Sequence, residues 1–165
     1  AVGAFLSFSI GPVPITLQTL FVILAGFVLG PWTGAAAAGL YLAAGGFGLP
    51  VFSGGASGFA YFAGPTGGFL VGFLPCAFVC GLLRSSYTAR NEQAPPPAWL
   101  LFCFGLAGLI ALYIPGLAWL MMSLDLSWSE TLAAGLLPFI PGSLLKCVLA
   151  ALAYRYLEKW KLLPV

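Results

Sequence analysis

Lys146 is the residue of this chain whose chemistry is hardest to assign to packing. It lies in "PFIPGSLLKC" (138–147), inside an apolar run that continues through "CVLAALAY", in a sequence with only 6 % charged residues. If Ser143 caps a helix there, the ammonium falls in its first turn, opposed by the helix dipole and by desolvation. Such a cation wants an anionic partner. One reading has Lys146 snorkel to the outer headgroups or pair with Asp125 or Glu130. The other has it receive a substrate carboxylate, assisted by the N–H groups of its own helix terminus. The second is preferred, because three connections converge near it on one face of the membrane.

Other polar residues within or beside apolar runs are Thr16, Gln18 and Thr19 in "ITLQTL", Ser53 and Ser57 in a glycine-rich stretch, and Thr66. Gln18 at lipid depth must face protein, since an unpaired amide in hydrocarbon is costly, so it serves an interhelical hydrogen bond or a ligand. Tyr41, Tyr61, Phe52 and Phe59 can wall the apolar part of a ligand. There is no histidine, and the four carboxylates are dispersed, which argues against a metal site and against paired general acid and base groups. Cys76 and Cys80 are one helical turn apart, but they read, like Cys103 and Cys147, as small apolar packing residues. No G-x-x-x-x-G-K-[ST] occurs, so any ATP-driven step belongs to other subunits. No enzyme activity, cofactor or nucleic-acid partner is expected.

The elements that hold these residues are membrane helices. The chain has 61 % hydrophobic residues and a mean hydropathy of +1.06. It therefore reads as an all-α, polytopic membrane helix bundle forming one domain over 1–165. Six transmembrane helices are expected. The first ends near Ile10 and is read as truncated, because ten helical residues reach only about 15 Å. The others are Ile15–Gly30, Gly34–Phe47, Gly67–Leu83, Ala98–Met122 (interrupted at Pro115-Gly116) and Ser143–Lys159. Ser127 and Glu130 form a capping-box pattern that starts a short interfacial helix ending at Pro138 or Pro141. Gly26/Gly30, Gly68/Gly72 and Gly3/Ser7 are small-residue pairs that allow close helix packing, within the bundle or against another membrane subunit.

Arg84 and Arg90 precede the fifth span, and Arg155, Lys159 and Lys161 follow the sixth. Placing these basic segments inside puts both termini in the cytoplasm of a multi-pass plasma-membrane protein. Three connections then face outward, each feeding a helix N-terminus: "GPVP", the glycine-rich segment, and the stretch ending in "PGSLLK". All five tryptophans fall near span ends, as interfacial anchors do.

In this order, "GPVPITLQTLFVILAG", "GLPVFSGG", "GPTGGFLVGF" and "PGSLLK" resemble the BioY family of bacterial biotin transporters, from about Gly11 to the end of the chain. The resemblance implies six helices and capture of biotin from the outer side. It also implies the role of substrate-binding (S) component beside a transmembrane T component and two ATP-binding-cassette ATPases. The alternatives are a stand-alone biotin transporter, alone or as a homo-oligomer, and an intramembrane enzyme. By motif position Lys146 corresponds to the lysine of the family's "PGD-x-x-K" pattern, with Ser143 at the acidic position, where it keeps the N-cap function. The "GPTGG" match assigns Thr66, Gly67 and Gly68 to the site or its lid. With Gln18, Tyr41 and Ser57 these complete the expected biotin-binding set.

Overall fold

The computed structural model describes residues 7–9, 13–91 and 94–162. A short hairpin opens it: β1 (Ser7–Ser9) pairs antiparallel with β2 (Pro14–Thr16), with Phe8 opposite Ile15. Gly3 and Ile10 lie outside the described residues. At Ser7–Ser9 the backbone is extended, which corrects the helical first span expected there. A short apolar run before a proline-punctuated turn suits a strand as well as a helix.

Six helices of eight residues or more follow, with two shorter ones. They are α1 (Gln18–Leu29), α2 (Pro31–Gly46), α3 (Ala60–Ala63), α4 (Gly67–Val71), α5 (Phe73–Arg90), α6 (Ala98–Leu124), α7 (Trp128–Gly135) and α8 (Ile140–Lys159). Only Gly30, at positive φ, separates α1 from α2. Pro31 sits in the first turn of α2, where its missing N–H costs nothing. The helices α4 and α5 form one apolar length, Gly67–Arg90, that bends at Gly72. With Ala98–Leu124 and Trp128–Lys159 it makes three stretches, among the described residues, long and apolar enough to cross a membrane.

Several expected boundaries move: α1 starts at Gln18 rather than Ile15, because Pro14–Thr16 pairs as β2; α2 starts at Pro31 rather than Gly34; and α7 ends at Gly135, before Pro138. Helix α6 runs unbroken through Pro115 rather than being interrupted there, since losing one N–H is tolerated where neighbouring helices cover the turn. Helix α5 continues to Arg90, into the loop. Helix α8 begins at Ile140, not Ser143, because Pro141 fits a first helical turn. The capping box at Ser127 is present as read: its hydroxyl accepts from the Glu130 N–H, and the Glu130 carboxylate accepts from the Ser127 N–H at 2.9 Å.

At the centre lies α5, against α1, α2 and α6, while α8 closes the bundle between α6 and α1. The inward faces are lined by small residues. A Cβ on Gly26 would collide with the Ala77 carbonyl and Cys80, and one on Gly68 with the Pro115 carbonyl and Trp119. Both glycines thus serve contacts inside the bundle. Cys76, Cys80 and Cys147 are buried free thiols packed beside Gly105 and Gly108. Large side chains such as Leu40, Ile110, Ile114 and Leu152 point outward, as lipid-facing residues should.

The basic ends of α5 and α8 meet at one end of the bundle. There Arg84 Nε donates to Tyr154 Oη at 2.7 Å, and Arg155 donates to the Pro96 carbonyl at 3.2 Å. The hairpin, the glycine-rich connection (47–66) and α7 gather at the other end.

Candidate functional site

At that second end, β2, the start of α1, the glycine-rich connection, α4, α5, α6 and α8 enclose a cavity of about 60 Å³. Lys146, Ser143, Thr66 and Gln18 all line it, as do Thr16, Thr19, Ser53 and Tyr61. Gln18, Ser53 and Lys146 come from the beginning, middle and end of the chain, and only the fold brings them to one chamber.

Two polar groups have their geometry set by hydrogen bonds. Thr16 Oγ1 donates to Gln18 Oε1 at 2.9 Å, the Gln18 amide donates to Tyr41 Oη, and Tyr41 Oη donates to the Val51 carbonyl at 2.7 Å. This chain ties the hairpin, α1 and α2 to the glycine-rich connection. It leaves the Gln18 amide one N–H and one lone pair for a ligand. Tyr41 is behind the chamber rather than in its lining; with Gln18 and Phe73 it borders an adjoining apolar pocket of about 160 Å³.

On the opposite wall, Tyr113 Oη and Ser143 Oγ are 3.0 Å apart. Since one hydroxyl donates to the other, a single O–H proton of the pair is free. Ser143 is thus no N-cap. It lies inside the first turn of α8, one turn before Lys146 on the same face. Lys146 consequently sits in the second turn, and the terminal N–H groups of α8 do not surround it as the sequence suggested.

Lys146 is 6 % exposed, and among the described residues no carboxylate acts on it. Asp125 is exposed at the left-handed C-cap of α6, and Glu130 is engaged by Ser127, so neither provides the partner considered above. No buried side-chain nitrogen or oxygen among the described residues is both shut off from solvent and unpartnered. The ammonium therefore keeps its access to the chamber. A buried cation without a protein carboxylate gains from an anion that enters the chamber.

Several expected site residues fall outside the lining. Ser57 is exposed, and Ser53 takes the place expected of it; Gly67 and Gly68 are buried behind Thr66, with Gly68 pressed on α6. The glycine-rich connection is held down at both ends. Phe52, fully buried, stacks on Tyr61 with centroids 5.1 Å apart, and Trp119 Nε1 donates to the Gly64 carbonyl at 2.9 Å. Sequence reasoning missed Tyr113 and the apolar wall of Phe69, Leu70, Phe73, Leu112 and Phe139. The one signal for Tyr113 was a phenol in the middle of "LIALYIPG", where an unpaired hydroxyl is costly.

Comparison with known proteins gives a consistent result. A family model described as BioY matches residues 1–162. The "Biotin transporter BioY" of Rhodobacter capsulatus is 41 % identical over 90 % of this chain and 80 % of its own length, and that of Thermotoga maritima 40 % over 96 % and 88 %. The "Probable biotin transporter BioY" of Pyrococcus horikoshii is 36 % identical over 96 % of this chain and 88 % of its own. Among solved structures, the S-component for biotin from an ECF-type ABC transporter superposes with a TM-score of 0.84 at 31 % identity, covering 96 % of this chain and 84 % of that one.

Proposed function

The chain belongs to the BioY family, and from that premise we propose that it captures biotin on the outer side of the plasma membrane, in the chamber around Lys146, for transport into the cell. Biotin carries one carboxylate on an apolar valerate arm and a ureido ring with two N–H donors and one carbonyl. The chamber offers a complement to each part. The observation that carries the reading is Lys146: buried, unpaired by any described carboxylate, and lining the chamber. It receives the ligand's carboxylate, with the free O–H of the Tyr113–Ser143 pair as a second donor. The spare N–H and lone pair of Gln18 suit the ureido carbonyl and one ureido N–H. Phe69, Leu70, Phe73 and Leu112 suit the arm and ring carbons. Thr66 and Ser53 stand at the rim. Gly67, Gly68, Tyr41 and Ser57 act through position: the first three shape the wall, and Ser57 belongs to the covering segment.

The chamber, at about 60 Å³, is several-fold smaller than the pockets that hold ligands of this size. Entry of biotin therefore requires the glycine-rich connection to move off and settle back. The basic end of the bundle, with Arg84, Arg90, Arg155, Lys159 and Lys161, faces the cytoplasm with the end of α8, and the opening hairpin lies with the chamber at the outer end. The chain has no ATP-binding motif and no acid–base pair for catalysis, so it works as a non-enzymatic S component. A T component and two ABC ATPases supply the energy.

The test is uptake of labelled biotin by cells lacking their own biotin synthesis and transport. With the chain, a T component and both ATPases, biotin accumulates; with the chain alone it is bound but not concentrated. Accumulation by the chain alone would overturn the S-component role, and none in either strain would overturn transport.

A further inference from the structure

Away from the chamber, helices α6 and α8 leave an apolar groove of about 340 Å³ on the outer surface of the bundle, lined by Ala98, Trp99, Phe102, Val148, Ala151 and Leu152. The two helices run antiparallel here, so the groove ends where α6 begins and α8 finishes, at the basic end of the molecule. Arg155 lies one turn beyond Ala151 and Leu152, and Lys159 one turn further, on the same face of α8. The Arg155 guanidinium is held at the groove's mouth by its hydrogen bond to the Pro96 carbonyl, two residues before Ala98. That bond uses one of five N–H donors, and the rest are open to an oxyanion.

We propose that this groove seats one anionic phospholipid of the cytoplasmic leaflet, with an acyl chain along Phe102, Val148 and Leu152 and its phosphate between Arg155 and Lys159. Three features favour a phospholipid over any other occupant. The lining is apolar along the whole groove, as an acyl chain requires. The charge at its mouth is complementary to a phosphate: Arg155 and Lys159 stand on this face of α8 against one described carboxylate, Glu158. Trp99, 67 % exposed, stands at the lip, where an indole marks the headgroup level. A second groove between the same helices, lined by Leu106, Leu109, Ile110, Tyr113, Ile140, Ser143 and Leu144, lies towards the other end of the bundle, where the neighbouring cation, Lys146, lines the chamber instead. Basic clefts between helices on the cytoplasmic side are general headgroup sites.

The experiment is native mass spectrometry of the detergent-purified chain, delipidated and then exposed to equal amounts of dioleoyl-phosphatidylglycerol and dioleoyl-phosphatidylcholine. One phosphatidylglycerol is retained with a preference of about thirtyfold, given two cations near the phosphate. Arg155→Gln with Lys159→Gln brings the preference to about one. Leu152→Trp, which fills the groove from an exposed position, lowers retention of both lipids while biotin binding is unchanged. Equal retention of the two lipids by the natural chain, or a preference that survives the double substitution, overturns the proposal. So does undiminished retention in Leu152→Trp, which reads out even if the double variant does not fold.

Discussion

Replacing Lys146 with methionine should move affinity and stability in opposite directions. The side chain is 6 % exposed and no described carboxylate compensates it. In the empty protein its charge is therefore a desolvation cost without a matching Coulombic gain. Methionine keeps most of the volume and removes that cost. The ligand-free variant should unfold at the same temperature as the natural chain or a higher one. Binding behaves otherwise. A hydrogen bond to a charged group contributes about 1.5–3 kcal/mol, and each 1.4 kcal/mol or so is tenfold, so biotin affinity should fall between about 10- and 150-fold. Biotinamide, which keeps the ring and arm but has no carboxylate, should lose less than about threefold on the same scale. Calorimetric titration of both ligands, with a thermal melt of each empty protein, gives the four numbers needed. Equal loss for the two ligands would refute the carboxylate assignment, and a large drop in the melting temperature would show that Lys146 is paired within the protein.

Tyr113→Phe removes the partner of Ser143 and should weaken biotin by up to about tenfold, with biotinamide less affected, in the same titration. Gly68→Val places carbon against the Pro115 carbonyl and Trp119, so little folded protein should survive size-exclusion chromatography. Gly39→Ala, which meets nothing within 4 Å, should be indistinguishable from the natural chain. Biotin should slow hydrogen exchange across 47–66, because the chamber is too small to admit a ligand without movement there; unchanged exchange would contradict the covering role. In intact cells a cysteine placed at Ser129 should react with a membrane-impermeant maleimide and one at Lys159 should not, since the two stand at opposite ends of the bundle and the proposed topology puts the basic end inside.

Long apolar runs made α5, α6 and α8 legible, because hydropathy over about 20 residues has few other meanings. The capping box at Ser127 was legible because its signal is local. Lys146 and Gln18 were legible as residues that line the chamber for a related reason, that a polar group at lipid depth must be used, and Thr66 through the "GPTGG" resemblance. What stayed hidden depends on contacts between distant segments. Ser143 has the chemistry of an N-cap, yet Pro141 suits an earlier start, and the hydroxyl turns to Tyr113 on α6 instead. Ser53 and Ser57 are equivalent in sequence, and only the packing of Phe52 against Gly45 and Tyr61 decides which faces the chamber. At Ser7–Ser9 the apolar residues fit either period, and pairing with Pro14–Thr16 selects the strand.

Calorimetry on the ligand-free chain in detergent, titrated with biotin and in parallel with thiamine and riboflavin, tests the central claim most directly. Tight, saturable binding of biotin at one site per chain, with neither other vitamin bound, is the result the structure predicts. A folded sample that binds none of the three, or binds them alike, would contradict it.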